Sequence, residues 1–282
     1  MTRDEIEKKI RPILRNCLRQ FGEFSDKNSS EAEFDAGTMA CLQPDVRRIS
    51  LLISMAQSVL GDSGAGEGLE IGCGYGYLLF PMALFFPNIR WTAVEHPGRA
   101  FVNQEEFRKT LCEYHCQFAA ARILEEPLPF PDEHFSIVTF SEVMEHLPPE
   151  RLNFVLSEIA RVTRPGGVLL ASSPNLASLE NRLRLLKGKS VLDMPDEMEA
   201  AKGMFGHIRM YTQAEVQAAM MKYGFTAERC VFESNNSGFR GTSPSSWKRQ
   251  IRRLYESLEG KMGFLRGMGD TWHIAFRRAA PR

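Results

Sequence analysis

An α/β fold is predicted for this chain: a seven-stranded, mostly parallel sheet with helices on both faces. Two observations predict it. From about residue 67 onward, short apolar runs alternate with helical stretches, which is the pattern of strands joined by crossover helices. The first of those runs ends in Leu69 to Leu78, LEIGCGYGYL, where a buried strand turns through alternating glycines into an apolar run. Glycines there allow positive φ and let a ligand approach the backbone without a Cβ in the way.

The elements follow in order. Ile6, Ile10, Ile13, Leu14, Cys17, Leu18 and Phe21 share one side of a 3.6-residue period and predict a first helix. Pro12 marks a kink or a late start within it. The polar stretch Ser25 to Asp35 reads as a loop, and Pro44 as the opening of a second helix with Val46, Ile49, Leu52, Ile53 and Ala56 on its apolar face. Strands are expected near 67–72, 90–95, 117–121, 135–140, 166–173, 225–233 and 270–278, and helices near 76–86, 99–113, 149–163 and 212–223. Pro165-Gly166-Gly167 is a tight turn into the fifth strand. Residues 1–60 thus form a helical N-terminal extension or cap, and 61–282 the main domain. Two inserts interrupt it. Residues 176–210 are expected as helical turns and a substrate lid over the carboxyl edge of the sheet, and 235–263 as a variable segment. Within the first, Leu176, Leu179, Leu183, Leu185 and Leu186 read as packing residues.

Composition narrows the function classes. The chain has 282 residues, 43% hydrophobic and 25% charged, with 35 basic and 35 acidic side chains, so no overall field selects nucleic acid or a membrane surface. Basic residues are nevertheless concentrated from Arg240 onward. Six scattered cysteines lack the second pair that a tetrahedral zinc site requires and read as reduced thiols of a cytoplasmic protein. The N-terminus has no hydrophobic signal core, and no apolar stretch approaches the ~20 residues of a membrane span.

In an open α/β sheet, ligands settle outside the carboxyl ends of the strands where the strand order reverses. Four features should meet there: the glycine turn, Glu95 at the end of the second strand, the segment Phe118 to Phe130, and Ser141-Glu142-Val143-Met144-Glu145-His146-Leu147. Glu95 stands 19 positions after Gly76, a separation at which a carboxylate reaches both hydroxyls of a ribose.

With these motifs in view, the chain resembles the class I S-adenosylmethionine-dependent methyltransferases, which are Rossmann-like. The resemblance runs from about Gly66 to Pro174. It is carried by LEIGCGYGYL, Glu95, EEPLPFPDEHFSIVTFSEVMEHL and RVTRPGGVLLASSPN in that order. It implies S-adenosylmethionine as cofactor. Glu70, Gly72, Cys73, Gly74, Tyr75 and Gly76 would hold its amino-acid end, and Glu95 its ribose. His96, Arg122 and Ile123 would lie at adenine, and Ser141 and Glu142 under the sulfonium. Two positions depart from the family pattern: Ala121-Arg122 stands where an adenine-binding aspartate is usual, and Ser136 replaces the common aspartate after Phe135.

The expected reaction is direct displacement onto a small or medium-sized acceptor. An oxygen acceptor on a sugar, phosphorylated or lipid-linked metabolite is the first reading. His207 and His146 are candidate bases and Tyr211 a further catalytic candidate, because a hydroxyl acceptor must lose a proton. Arg182, Arg209 and Asn175 are candidate acceptor contacts. Some relatives place Mg²⁺ on an arrangement like Glu142, Glu145, His146 and His207, so the resemblance also admits that ion. Two other classes remain open: a nucleic-acid 2′-O-methyltransferase using the basic C-terminal third, and a non-catalytic cofactor-binding protein. No nucleic acid is expected as partner under the first reading, and a homodimer is admitted.

Overall fold

The computed structural model describes the backbone of residues 1–21, 31–60, 65–192, 206–234 and 267–280. The expected insert 235–263 and residues 193–205 of the first insert lie outside the described residues. Seven strands form one sheet: β1 (Gly66–Ile71), β2 (Ile89–Glu95), β3 (Gln117–Ala120), β4 (Phe135–Ser141), β5 (Thr163–Pro174), β6 (Phe225–Glu233) and β7 (Thr271–Arg278). Their spatial order is β3-β2-β1-β4-β5-β7-β6. All neighbours are parallel except β7, which runs antiparallel between β5 and β6. The chain winds outward from β1 to β3 and then returns to place β4 beside β1. A crevice therefore opens at the carboxyl ends of β1 and β4.

Helices α1 (Arg3–Phe21), α2 (Glu31–Leu60), α3 (Leu79–Phe85), α4 (Glu105–Glu113), α5 (Pro149–Val162), α6 (Leu179–Leu186) and α7 (Gln213–Met221) complete the described elements. Alternation along the strands splits the interior in two. Ile137, Val168, Leu170 and Ala275 pack with Ile6, Ile10, Leu14, Val46, Ile49 and Ile53 of α1 and α2. Val138, Leu169, Ala171 and Ile274 pack on the opposite face with Val155 and Ile159 of α5. Arg3 fastens the start of α1 by pairing with Glu233 of β6 and donating to Ser50 Oγ at 2.9 Å.

Three expectations need correction. α1 begins at Arg3, so Pro12 does not mark a late start, and Pro44 lies inside α2, which begins at Glu31, so residues 31–35 of the expected loop are helical. An interior proline costs about 3 kcal/mol, and the buried stripe of Leu42, Val46, Ile49, Leu52 and Ile53 on the same helix offsets it. The helix expected over 99–113 is divided into a 3-10 turn, Ala100–Asn103, and α4, because Gln104 is extended at ψ 137°. Finally, α6 buries none of its residues, and Leu185 and Leu186 are 58% and 83% exposed; they do not pack as expected. Cys17, Cys73, Cys112, Cys116 and Cys230 are free thiols. No described helix is long and apolar enough to cross a membrane.

Candidate functional site

A cavity of about 890 Å³ occupies the crevice. The sequence makes its floor at the end of β1, where Gly72 and Cys73 donate to the Val94 carbonyl of β2 at 2.8 and 3.2 Å and the chain then swings away from the sheet. Gly74 takes φ +48°, and a Cβ built there meets no atom within 4 Å. That open space on the cavity wall is a cradle for a ligand. Gly76, at φ +81°, turns behind the wall, where its Cα faces the Phe80 ring of α3.

Glu95 is fixed by two amides: Gly74 N–H donates to Oε2 at 2.9 Å and His96 N–H to Oε1 at 2.8 Å. Both oxygens keep acceptor capacity toward the cavity. Glu70 lines the same space, and its Oε2 is buried with no hydrogen-bond partner. Burial pushes its pKa well up; the nearby charge of Arg48 opposes that shift and Glu95 adds to it. An orphaned buried carboxylate oxygen beside an open glycine cradle fits a ligand that brings an ammonium group and a ribose, as the expected cofactor does. Cys73, Tyr75, His96, Arg122, Ile123, Ser141 and Glu142 also line the cavity, whereas Gly76 supports it from behind. Glu95→Ala removes the partner of the Gly74 amide and the expected ribose acceptor together. It is expected to weaken cofactor binding about 10- to 100-fold, measured by calorimetric titration.

Arg48, on α2, was not expected in the site. Its guanidinium donates to Ser141 Oγ at 2.7 Å and to Asp45 Oδ1 at 2.8 Å. Ser141 and Ser172 hydroxyls are 2.7 Å apart, and Ser172 donates to Glu142 Oε1 at 2.8 Å. A chain of hydrogen bonds thus joins the N-terminal extension to Glu142, whose backbone sits in the left-handed region at φ 57°. Leu18, Leu42 and Asp45 line the cavity beside Arg48. Arg48 stands three residues after Asp45 on α2, next to Arg47, and nothing in that local sequence sets it apart.

At the opposite wall, the turn Met144–His146 is clasped by the segment that follows residue 205. The Glu145 carbonyl accepts from Ile208 N–H at 2.8 Å and Arg209 N–H at 3.2 Å. His146 Nδ1 lies 3.1 Å from the Gly206 carbonyl, so in the neutral ring that nitrogen carries the proton and Nε2 keeps its lone pair. The His146 and His207 rings are 5.2 Å apart. Burial lowers the pKa of both, and for His146 the charge of Arg99 is among the smaller effects in the same direction. Both imidazoles are neutral at neutral pH.

Glu145 is fully buried; Ser173 donates to its Oε2 at 3.0 Å, while Oε1 makes no hydrogen bond and lies 4.0 Å from His146 Nε2. One ligand atom from each of Glu145, His146 and His207 falls within 4.8 Å of the others. Two imidazoles with one carboxylate suit a first-row transition ion better than Mg²⁺, which prefers oxygen ligands. Glu142, whose Oε1 is tied to Ser172, is not in that cluster.

Four expected contacts are not brought to this cavity. Asn175 is buried and donates to the carbonyls of Gly267 and Gly269, both at 2.8 Å. Arg182 donates to the Ala177 carbonyl, and Arg209 pairs with Glu215. The Tyr211 ring is part of the core, with Arg209 4.9 Å above it and its hydroxyl buried without a partner.

Residues 69–171 match the family described as a methyltransferase domain. The chain is 28% identical over 212 residues to a chicken tRNA N(3)-cytidine methyltransferase, METTL2, a match covering 71% of this chain and 54% of that protein. It is 29% identical over 129 residues to a fatty-acid O-methyltransferase of Mycolicibacterium smegmatis, covering 45% of this chain and 43% of that one. The chain spans about half the length of the curated relatives it matches. Among solved structures, a SAM-dependent methyltransferase from Archaeoglobus fulgidus superposes with a TM-score of 0.52 at 18% identity, over 86% of this chain and 99% of that one. That likeness is one of fold.

Proposed function

We propose that the chain is a class I S-adenosylmethionine-dependent methyltransferase, a reading supported by the match of residues 69–171 to a methyltransferase domain, and that it transfers a methyl group by direct displacement to the hydroxyl of a small or medium-sized acceptor. One observation carries the reading: a single cavity runs from the Glu70–Gly74–Glu95 cradle to the neutral His146–His207 pair. When bound, the cofactor supplies an electrophilic methyl on a sulfonium. The residues of this chain do the rest. Glu95 holds the ribose, Glu70 the ammonium, and Arg48, charged and adjacent to both Glu70 and Ser141, holds the carboxylate of the amino-acid end. His146 takes the acceptor's proton at Nε2, with Nδ1 anchored to Gly206. The clasp between Glu145 and residues 208–209 keeps His207 over the cavity and excludes water, which alignment of the reactants requires. A sugar, phosphorylated or lipid-linked hydroxyl compound is the acceptor class, and the fatty-acid O-methyltransferase relative supports oxygen as the receiving atom.

The test follows release of demethylated cofactor over a panel of hydroxyl, amine and thiol acceptors at several pH values. Hydroxyl acceptors are expected to react. For them kcat/KM should rise with pH along a limb whose apparent pKa lies below the ordinary imidazole value, because the neutral ring is the active form, and should be flat through neutral pH. His146→Gln is expected to lower kcat about 10²- to 10³-fold without changing cofactor affinity. A variant that keeps both the rate and the acid limb removes His146 from the reaction.

A nucleic-acid acceptor is the second reading, favoured by the tRNA N(3)-cytidine methyltransferase relatives. It requires binding that falls steeply with salt and methyl transfer to RNA in place of the small hydroxyl compounds.

A further inference from the structure

Three arginines line the cavity: Arg48, Arg99 and Arg122. Arg48 is committed to Asp45 and Ser141. Arg122 lies 3.5 Å from Glu125. Arg99 is different. It is exposed at the mouth, and its side chain makes no hydrogen bond or ion pair with any described residue. The wall beside it is aromatic. Arg99 leads directly into the 3-10 turn that carries Phe101, and the Phe101 ring packs 5.0 Å from Tyr75, which is itself 5.9 Å from Tyr77. All three aromatic residues line the cavity.

A guanidinium fork with no carboxylate of its own, set at the rim of an aromatic wall, is a recognition site for a carboxylate or phosphate. None of the carboxylates that line the cavity (Asp45, Glu70, Glu95, Glu125, Glu142 and Glu145) is ion-paired with Arg99. The cofactor's own carboxylate has a separate cation in Arg48.

We propose that Arg99 selects an anionic acceptor: a hydroxyl compound with a flat apolar body that carries a carboxylate or phosphate, the acid group seated on Arg99 and the body on the Phe101–Tyr75–Tyr77 wall. This rests on the methyl-transfer reading of the cavity and adds the substrate's charge to it. Arg99 is a specificity residue; it takes no part in the proton transfer.

The experiment uses the full chain saturated with S-adenosylhomocysteine and three matched probes, 4-hydroxybenzoate, phenyl phosphate and the neutral 4-hydroxybenzyl alcohol. Their dissociation constants are measured by ligand-observed NMR for the wild type, Arg99→Gln and Arg99→Lys. The wild type should bind at least one anion about tenfold or more tighter than the neutral alcohol, as a charge-assisted pair requires. The tighter of the two anions distinguishes a carboxylate from a phosphate acceptor. Arg99→Gln should abolish the preference, Arg99→Lys should retain part of it, and affinity for S-adenosylhomocysteine should stay within about twofold in both, since Arg48 rather than Arg99 is assigned to the cofactor's carboxylate. Equal binding of anions and alcohol by the wild type, or an anion preference that survives in Arg99→Gln, overturns the proposal. If S-adenosylhomocysteine itself fails to bind, it is the cofactor reading that falls, so the two failures are told apart before any probe is added.

Discussion

Gly76→Ala is expected to destabilise the protein by about 2–4 kcal/mol and to abolish measurable cofactor binding. Two costs add at this position. An L-residue at φ +81° pays for the left-handed region, and the new Cβ lies 2.2 Å from Cε2 of the buried Phe80 ring. Phe80 cannot yield easily, because its ring stacks on Tyr114 at 4.9 Å and meets Phe107 at 6.4 Å. Overpacking of this kind costs about 1–3 kcal/mol by itself. The loop must then move, and the Gly74 amide leaves Glu95. Denaturant unfolding read beside cofactor titration checks both halves. A variant of wild-type stability that still binds would show that the loop geometry is not what makes the cradle.

Arg48→Met is the second large effect. The change keeps the length of an apolar stem and deletes the cation. Glu70 and Glu145 are buried carboxylates whose pKa values are driven up chiefly by burial, with the Arg48 charge among the effects opposing it. Glu142 follows the same pattern, with Arg48 the largest opposing effect. Removing the counter-charge leaves these groups and Asp45 without it. A loss of about 2–3 kcal/mol of stability is expected, less than for a fully enclosed pair because Asp45 is about one-third exposed. Cofactor affinity should fall about 10- to 100-fold, since the carboxylate of the amino-acid end loses its partner. Arg48→Lys should recover stability more than affinity, because an ammonium supplies the charge without the planar fork. Equal affinity in Arg48→Met and the wild type would separate the N-terminal extension from the cofactor site.

The centre of the sheet was legible because its strands are buried on both faces. Val168 to Ala171 reads as an unbroken apolar run after the Pro165-Gly166-Gly167 turn, and Phe135 to Phe140 as a run rich in apolar and β-branched residues. The glycine turn and Glu95 were legible for a related reason: backbone geometry and a ribose contact each demand one residue type at one place. The reversed direction of β7 left no mark in the sequence, because an inner strand is apolar whichever way it runs. Pro44 misled for a local reason. A proline signals a helix start in isolation, and only the buried stripe of α2 outweighs that preference. Asn175, Arg182, Arg209 and Tyr211 lie in a segment rich in polar groups of the kind that touch ligands. Asn175 instead satisfies carbonyls more than 90 residues away in the chain. Arg48 could not be placed from sequence, since its partner Ser141 lies 93 residues downstream and only the folded sheet brings α2 over the end of β4. Arg99 was hidden by its ordinariness, as one arginine among many in a chain with balanced charge.

Titration of the intact chain with S-adenosylhomocysteine, in parallel with Glu95→Ala, bears most directly on the cradle formed by Glu70, Gly74 and Glu95. The wild type should release heat with one site per chain, and the variant should bind at least about tenfold more weakly while unfolding at the wild-type denaturant concentration. A folded wild type that gives no heat with either S-adenosylhomocysteine or S-adenosylmethionine, or a variant that binds as tightly as the parent, contradicts it.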